Sequence, residues 1–117
     1  MKRHAIASAG ALGLLVLPRE TSAQPNLDTI SANFIMRGCR EIGQSDRNLY
    51  IQVACGATVR TLIYFGQKLG TCAPDGATMD QAVRVVVLYI DQRPERMHER
   101  FEALALEALQ HTWPCRG

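Results

Sequence analysis

The sequence lacks most of the patterns that mark enzymes and metalloproteins. Its three histidines and four cysteines include no Cys-x-x-Cys pair, which argues against a zinc site. It contains no Gly-x-Ser-x-Gly and no glycine-rich phosphate loop. The stretch HERFE, which starts at His98, falls short of the zinc-protease pattern His-Glu-x-x-His because Glu102 stands in place of the second histidine. We therefore expect a protein that is not an enzyme and that binds no metal and no cofactor.

An excess of charge of one sign is also lacking. The full chain has 13 Lys and Arg residues against 11 Asp and Glu residues. Without the first 23 residues, three basic residues and one acidic residue are lost, so that ten of each sign remain. Neutralisation of phosphates supplies most of the affinity of nucleic-acid binders. A neutral domain without a basic cluster is therefore expected to have no nucleic-acid partner.

Long hydrophobic runs are missing as well. The longest, AIASAGALGLLVL at 5–17, has 13 residues, whereas a membrane helix needs about 20. It follows the basic start MKRH and precedes PRETSA, with Thr21 and Ala23 at positions −3 and −1 of a cut before Gln24. This layout is typical of a secretory signal peptide. We expect residues 1–23 to be a cleaved signal peptide, residues 24–117 to be one exported domain, and no segment to span a membrane.

The remaining sequence is rich in helical periodicity. Apolar residues recur at helical spacing over about 26–42, from 45 or 46 to 65, over 79–93, and from 94 to near 111. Asn26 is the predicted N-cap of the first helix, and Pro94 opens the fourth. The valines of VRVVVLYI also suit a strand, but Thr78 and Gln81 form a capping box before them that favours a helix. The sequence therefore predicts an all-α, compact bundle of four main helices.

The cysteines predict two disulfides that staple this bundle. An even number of cysteines in an exported chain usually forms disulfides, and here they are Cys39, Cys55, Cys72 and Cys115. If helices one and two, and then three and four, form antiparallel hairpins, the pairings Cys39–Cys55 and Cys72–Cys115 need the least distortion. The other two arrangements would tie one hairpin to the other, and the sequence alone leaves them open.

Two segments suggest where neighbouring groups approach. Gly56 and Ala57 have little side chain, which predicts a close approach of another helix at that point of helix two. The segment 66–77 is longer than a typical connection in a helical bundle, is rich in glycine and is anchored by Cys72, so we expect it to be presented for binding. A plain connector shaped around the disulfide is the alternative. The candidate partner-binding residues in the segment are Gln67, Lys68 and Asp75.

The second half of the chain resembles the Rap/Tai family of immunity proteins of bacterial type VI secretion. The residues that carry the resemblance are TCAPDG at 71–76, VVLYI at 86–90, RPE at 93–95 and WPC at 113–115. The resemblance extends over about 34–115 and assigns framework roles to the four cysteines, Pro74, Gly76, Gln81, Tyr89, Pro94 and Pro114. Two departures are Arg93, where the family has histidine, and the run CGATVRTLIYFGQ, in which Thr58 and Arg60 interrupt the family's glycine and aromatic pattern.

The resemblance implies a small periplasmic immunity protein, often a homodimer. Such a protein binds and occludes a peptidoglycan amidase that neighbouring cells inject, and so protects the producing cell and its siblings. Two further functions compete with this expectation. One is a small helical stress chaperone that exposes apolar surface when its carboxylates are protonated. The other is an orphan relative or subunit that interacts with an envelope complex.

Overall fold

The computed structural model describes residues 27–116, together with Gly13. Residues 27–116 form four α-helices, and no strand is present in this range. The helices are α1 (Ala32–Glu41), α2 (Leu49–Tyr64), α3 (Met79–Asp91) and α4 (Phe101–Thr112), with short 3-10 helices at Leu27–Ile30, Gly66–Leu69 and Pro94–Arg96. The all-α bundle of four main helices is thus confirmed. Apart from Gly13, the predicted signal peptide at 1–23 lies outside the described residues and stays a prediction.

Two helices begin at side chains that cap their first turns. The Thr78 hydroxyl accepts a hydrogen bond from the Gln81 backbone nitrogen at 3.1 Å, so the predicted cap is present and the valine-rich stretch after it is helical. The Ser31 hydroxyl plays the same part for α1, accepting from the nitrogen of Phe34. The first helix therefore starts later than the predicted position 26, which itself lies outside the described residues.

The second and fourth helices also start later than predicted. Helix α2 follows Asn48, whose φ of 55° lies in the left-handed region, instead of beginning at 45 or 46. Pro94 opens a 3-10 turn, and α4 begins only at Phe101. The late start of α4 is explained by contacts with α1, because Ala32 and Asn33 donate their backbone N–H groups to the carbonyls of Glu99 and Met97 at 2.9 and 2.8 Å. Those contacts tie the start of α1 to the entry of α4.

Helices α1 and α2 approach one another most closely at Gly38. A Cβ built on Gly38 would lie 2.6 Å from the Gln52 nitrogen and closer still to the carbonyl of Ile51. A Cβ built on Gly56 would meet nothing within 4 Å. The predicted close approach at Gly56 is therefore wrong, because the missing side chain that admits a neighbouring helix is on α1 and not on α2.

All four helices contribute to one buried core. The largest side chains in it are fully buried and come mainly from α1, α3 and α4: Met36, Ile90, Phe101, Leu104 and Leu109. The Cys39–Cys55 disulfide belongs to this core, with its two residues 5% and 0% exposed. Among residues 27–116, no helix has both the length and the apolar character needed to cross a bilayer.

The second disulfide joins Cys72 to Cys115. Both predicted pairings are thus confirmed, and each closes one antiparallel hairpin, α1 with α2 and α3 with α4. The Cys72 backbone nitrogen also donates to the carbonyl of Trp113 at 2.7 Å. The chain end is therefore held beside the segment that leads into α3, as the position of Cys115 predicts.

Candidate partner-binding surface

The segment between α2 and α3 is held rigidly at its middle. After the 3-10 helix Gly66–Leu69, Gly70 adopts a φ of 77° and reverses the chain. Thr71 is only 1% exposed, and its hydroxyl donates to the carbonyl of Leu109 at 3.1 Å. A Cβ on Gly66 would lie 2.5 Å from the carbonyl oxygen of Thr71. The segment is therefore folded tightly on itself and anchored to α4, unlike a loop that hangs free.

The three predicted contact residues are all exposed, but the structure brings only two of them together. Gln67 and Lys68 lie on the 3-10 helix and line a surface cavity of about 440 Å³, whose other walls include Thr71 and Cys72. Asp75 lies in the exposed turn beyond Cys72 and does not line that cavity. Within 27–116, Lys68 and Asp75 form no ion pair. Their charges are therefore available to a partner.

An aromatic pair beside these residues escaped the sequence analysis. Tyr64 and Phe65 end α2 and line the same cavity as Lys68. Their side chains are 81% and 46% exposed, and their rings meet edge to face with centroids 4.9 Å apart. Aromatic residues are enriched at the centres of protein interfaces. The available signal was two consecutive aromatics at a helix end, one of which must point away from the core. We call Tyr64, Phe65, Gln67 and Lys68 the cavity rim.

The outward side of α2 is unusually apolar. Arg60 is the one charged residue of this helix, and Tyr50 and Val53 are 78% and 67% exposed. A groove of about 450 Å³ runs between α2 and α3, and its walls include Val53, Gly56 and Ala57. Solvent-facing helix surfaces usually carry charged and polar residues. This face therefore has the composition of a surface that another protein covers.

The charged side of the second hairpin is engaged internally instead. Arg96 donates to Glu107 at 2.5 Å and to Glu99 at 2.6 Å, and the hydroxyl of Tyr89 donates to Glu107 at 2.5 Å. The hydrogen bonds from Arg96 are the main cause that holds the pKa values of Glu99 and Glu107 below the usual range, and the hydrogen bond from Tyr89 lowers the pKa of Glu107 further. The hydrogen bond to Glu107 raises the pKa of Tyr89, and the guanidinium of Arg93 lies over the ring of Tyr89. Charges satisfied in this way offer little to a partner.

The histidines of the described residues have the following surroundings, and no metal site is found among these residues. No group of three or more His, Cys, Asp or Glu side chains within 27–116 could hold a metal ion. His98 is exposed, and Glu102 beside it pairs with Arg100. His111 contacts the ring of Tyr89, with centroids 5.5 Å apart.

Of three comparisons with known proteins, one found a match. The family model of the Rap1a immunity proteins matches residues 32–115, which is the whole four-helix bundle and both disulfides. Neither a search of curated proteins nor a search of solved structures found a match.

Proposed function

This chain belongs to the Rap1a immunity protein family, and from that premise we propose that it neutralises a peptidoglycan amidase delivered by type VI secretion. Family membership gives an immunity role against an effector, and the amidase and the secretion system are the finer part of the proposal. The protein would bind the enzyme and occlude its substrate cleft, without chemistry of its own. The producing cell and its siblings would be protected by this binding.

We place this activity in the periplasm, where peptidoglycan lies. Two disulfides with no free cysteine suit an oxidising compartment. The signal-peptide layout of residues 1–23 supports export to the same place. A small domain that must persist there benefits from covalent closure, since a core of this size gives limited stability alone.

The observation that carries the proposal is the rigid, exposed cavity rim. A plug that enters an enzyme cleft loses less entropy on binding if it is already ordered, and Thr71, Gly66 and the Cys72–Cys115 disulfide provide that order. Tyr64 and Phe65 supply apolar area, and Lys68 supplies an unpaired charge. We propose that the rim makes the central contact and that Asp75, in the neighbouring turn, contacts the partner's edge.

The test is capture followed by inhibition. Oxidised protein comprising 24–117 is immobilised and exposed to lysate that contains the secretion cargo, and retained proteins are identified by mass spectrometry. A peptidoglycan amidase recovered in equal stoichiometry, and inhibited by the purified protein when peptidoglycan fragments are measured, supports the proposal. Retention of no hydrolase from a lysate shown to contain amidase activity contradicts it.

Variants then test the surface. Tyr64→Ala combined with Lys68→Ala should raise the Kd for the amidase at least tenfold, because interface aromatics commonly contribute more than about 1.4 kcal/mol. Asp75→Ala should act more weakly, since it lies outside the cavity. The matched control is Gln92→Ala, which changes an exposed residue at the opposite end of α3. Equal affinities for all of these variants would show that another surface binds the enzyme.

We also propose that the protein forms a homodimer through a second surface, the outward face of α2, defined as Leu49, Tyr50, Val53 and Ala57. In an isologous dimer the same face meets itself across a two-fold axis. With the axis at Val53, Tyr50 of one copy lies opposite Gly56 of the second copy, since both are three positions from Val53. Gly56 borders the groove and leaves space there, so that the tyrosine ring can enter it.

Charge supports the same arrangement. Arg60 lies on α2 seven positions after Val53, and Asp46 lies in the turn that precedes the helix, so an antiparallel crossing would bring the Arg60 end of one helix towards the turn that contains Asp46 in the second copy. Neither residue forms an ion pair in the described part of the chain. Sedimentation equilibrium in the micromolar range should give twice the monomer mass for the natural protein and for Ala103→Glu, a control on α4. Val53→Glu should give the monomer mass. A natural protein that sediments as a monomer would refute this interface.

A further inference from the structure

The two disulfides lie in different environments. Cys39 and Cys55 are packed inside the core, 5% and 0% exposed. Cys72 and Cys115 are both partly exposed, and Cys72 lines the surface cavity that also contains Lys68. Thiol–disulfide exchange requires direct attack of a thiolate on one sulfur of the disulfide, so access decides which disulfide reacts.

We propose that Cys72–Cys115 is a thiol-exchange site, which a dithiol reductant opens while Cys39–Cys55 stays closed, and that opening it releases residues 72–77, which include Asp75 and the Cys72 wall of the cavity. The site would couple the redox state of the surroundings to the order of residues 72–77. Its chemistry is independent of the proposed function, and only its effect on amidase binding rests on that function.

The exchange needs no group beyond the dithiol. A thiolate of the reductant attacks one sulfur of the disulfide, the sulfur–sulfur bond breaks, and the other cysteine leaves as a thiolate that takes up a proton. The second thiol of the reductant then attacks the mixed disulfide and frees the first cysteine. Two electrons and two protons pass to Cys72 and Cys115, and the reductant departs with its own disulfide.

Lys68 favours this exchange at Cys72. Nearby cations stabilise the thiolate form of cysteine and so improve it as a leaving group. Lys68 lines the same cavity as Cys72, and it forms no ion pair among residues 27–116. Its charge is therefore not cancelled by a neighbouring carboxylate in this part of the chain.

The contacts around the disulfide indicate what its opening would release. Beyond Trp113, the chain end is held by the disulfide and by a long hydrogen bond of 3.4 Å from the Cys115 nitrogen to the carbonyl of Gly70. On the other side, Thr71 keeps its buried hydrogen bond to α4, and Thr78 keeps the cap of α3. Residues 72–77 and 114–116 would therefore loosen, whereas the core would remain intact.

The experiment is graded reduction of the native protein without denaturant. Dithiothreitol is the probe, reaction is stopped with N-ethylmaleimide, and the labelled cysteines are located by mass spectrometry. We expect Cys72 and Cys115 to be labelled at least about tenfold faster than Cys39 and Cys55, because the buried pair must wait for a larger opening of the fold. Labelling of all four cysteines at one rate, or of the buried pair first, would overturn the proposal.

Two further measurements address the released segment and the lysine. Hydrogen exchange of the selectively reduced protein should be faster in 72–77 and at the chain end, with the core helices unchanged; unchanged exchange in 72–77 would refute the release of the segment. Lys68→Met removes the positive charge and should slow labelling of Cys72, whereas Lys68→Arg keeps the charge and should be labelled at the rate of the natural protein. Equal rates in both variants would remove the role given to Lys68.

Amidase affinity separates the two proposals. If the oxidised protein binds the enzyme and the selectively reduced protein binds it at least tenfold more weakly, the thiol-exchange site regulates immunity. If both forms bind equally, the site has no regulatory effect. If neither form binds, the proposed function fails, while the labelling pattern still decides the chemistry of the disulfide.

Discussion

Replacement of Gly38 by alanine should destabilise the fold strongly. The added Cβ would lie 2.6 Å from the Gln52 nitrogen, a separation that no ordinary contact reaches. The obstructing groups, the carbonyl of Ile51 and the nitrogen of Gln52, belong to the backbone of α2, so no rotation of a side chain can relieve the overlap. The neighbouring Cys39–Cys55 disulfide also limits how far the two helices can separate. Overpacking of a core usually costs about 1–3 kcal/mol, and this site offers less relief than most.

The chain supplies its own control in Gly56→Ala. Alanine is favoured over glycine inside a helix by about 1 kcal/mol, and this gain applies at both positions. At Gly56 the new Cβ meets nothing within 4 Å, so we expect a gain of about 0.5–1 kcal/mol. At Gly38 we expect a net loss of about 2 kcal/mol after the helix gain is subtracted. Each variant adds one methyl group to the natural protein, and the two positions lie on neighbouring helices of one hairpin.

The assay is equilibrium unfolding in urea, followed by circular dichroism with both disulfides intact. In thermal unfolding followed by the same signal, a loss of about 2 kcal/mol should lower Tm by roughly 8–16 °C in a domain of this size. The midpoint should fall for Gly38→Ala and rise slightly for Gly56→Ala, with the slope unchanged. A Gly38→Ala protein as stable as the natural one would refute the close approach of α1 and α2.

Three further changes follow from polar contacts. Arg96 and Tyr89 hold the pKa of Glu107 below its usual 4.5. The pairing therefore stabilises the fold above that pH, and this stabilisation is lost as the pH falls through the lower pKa of the folded state. The urea midpoint should decline on acidification, and it should decline less steeply in Glu107→Gln. Tyr89→Phe removes a hydrogen bond to a charged group and should cost about 1 kcal/mol at pH 7 in the same assay. Thr78→Ala removes the cap of α3 and should also cost about 1 kcal/mol, whereas Thr78→Ser should cost little; equal losses would contradict the capping role.

The elements that sequence reasoning predicted well are those fixed by local chemistry. The valine-rich third helix could have been a strand, but Thr78 sets the helical start through one hydrogen bond that the residue spacing already indicates. The two disulfide pairings follow from antiparallel neighbours joined by short connections, since Cys39 and Cys55 then meet across the first hairpin. Here local preference and global packing agree, as they do in most natural sequences.

The elements that sequence reasoning misplaced depend on contacts between distant segments. Pro94 is suited to the first turn of a helix, but the carbonyl groups of Met97 and Glu99 bond to α1 instead of to their own helix. The assignment of close approach to Gly56 failed for a related reason. Gly38 and Gly56 are equally small, and only the rotation of each helix about its axis decides which one faces a neighbour. Periodicity gives the buried side of a helix, but not the point where two backbones touch.

The surface residues illustrate why a partner-binding site is harder to predict than a core. The length and anchoring of their segment predict Gln67, Lys68 and Asp75 as contact residues, and sequence reasoning does not single out Tyr64 and Phe65, which we add in our proposal, because an aromatic at a helix end fits a core equally well. None of these side chains is fully buried, so substitutions among them should change stability little. The order of the segment comes instead from Thr71, Gly66 and the Cys72–Cys115 disulfide. Under the proposed function, this separation would let the contact residues change without loss of the structure that supports them.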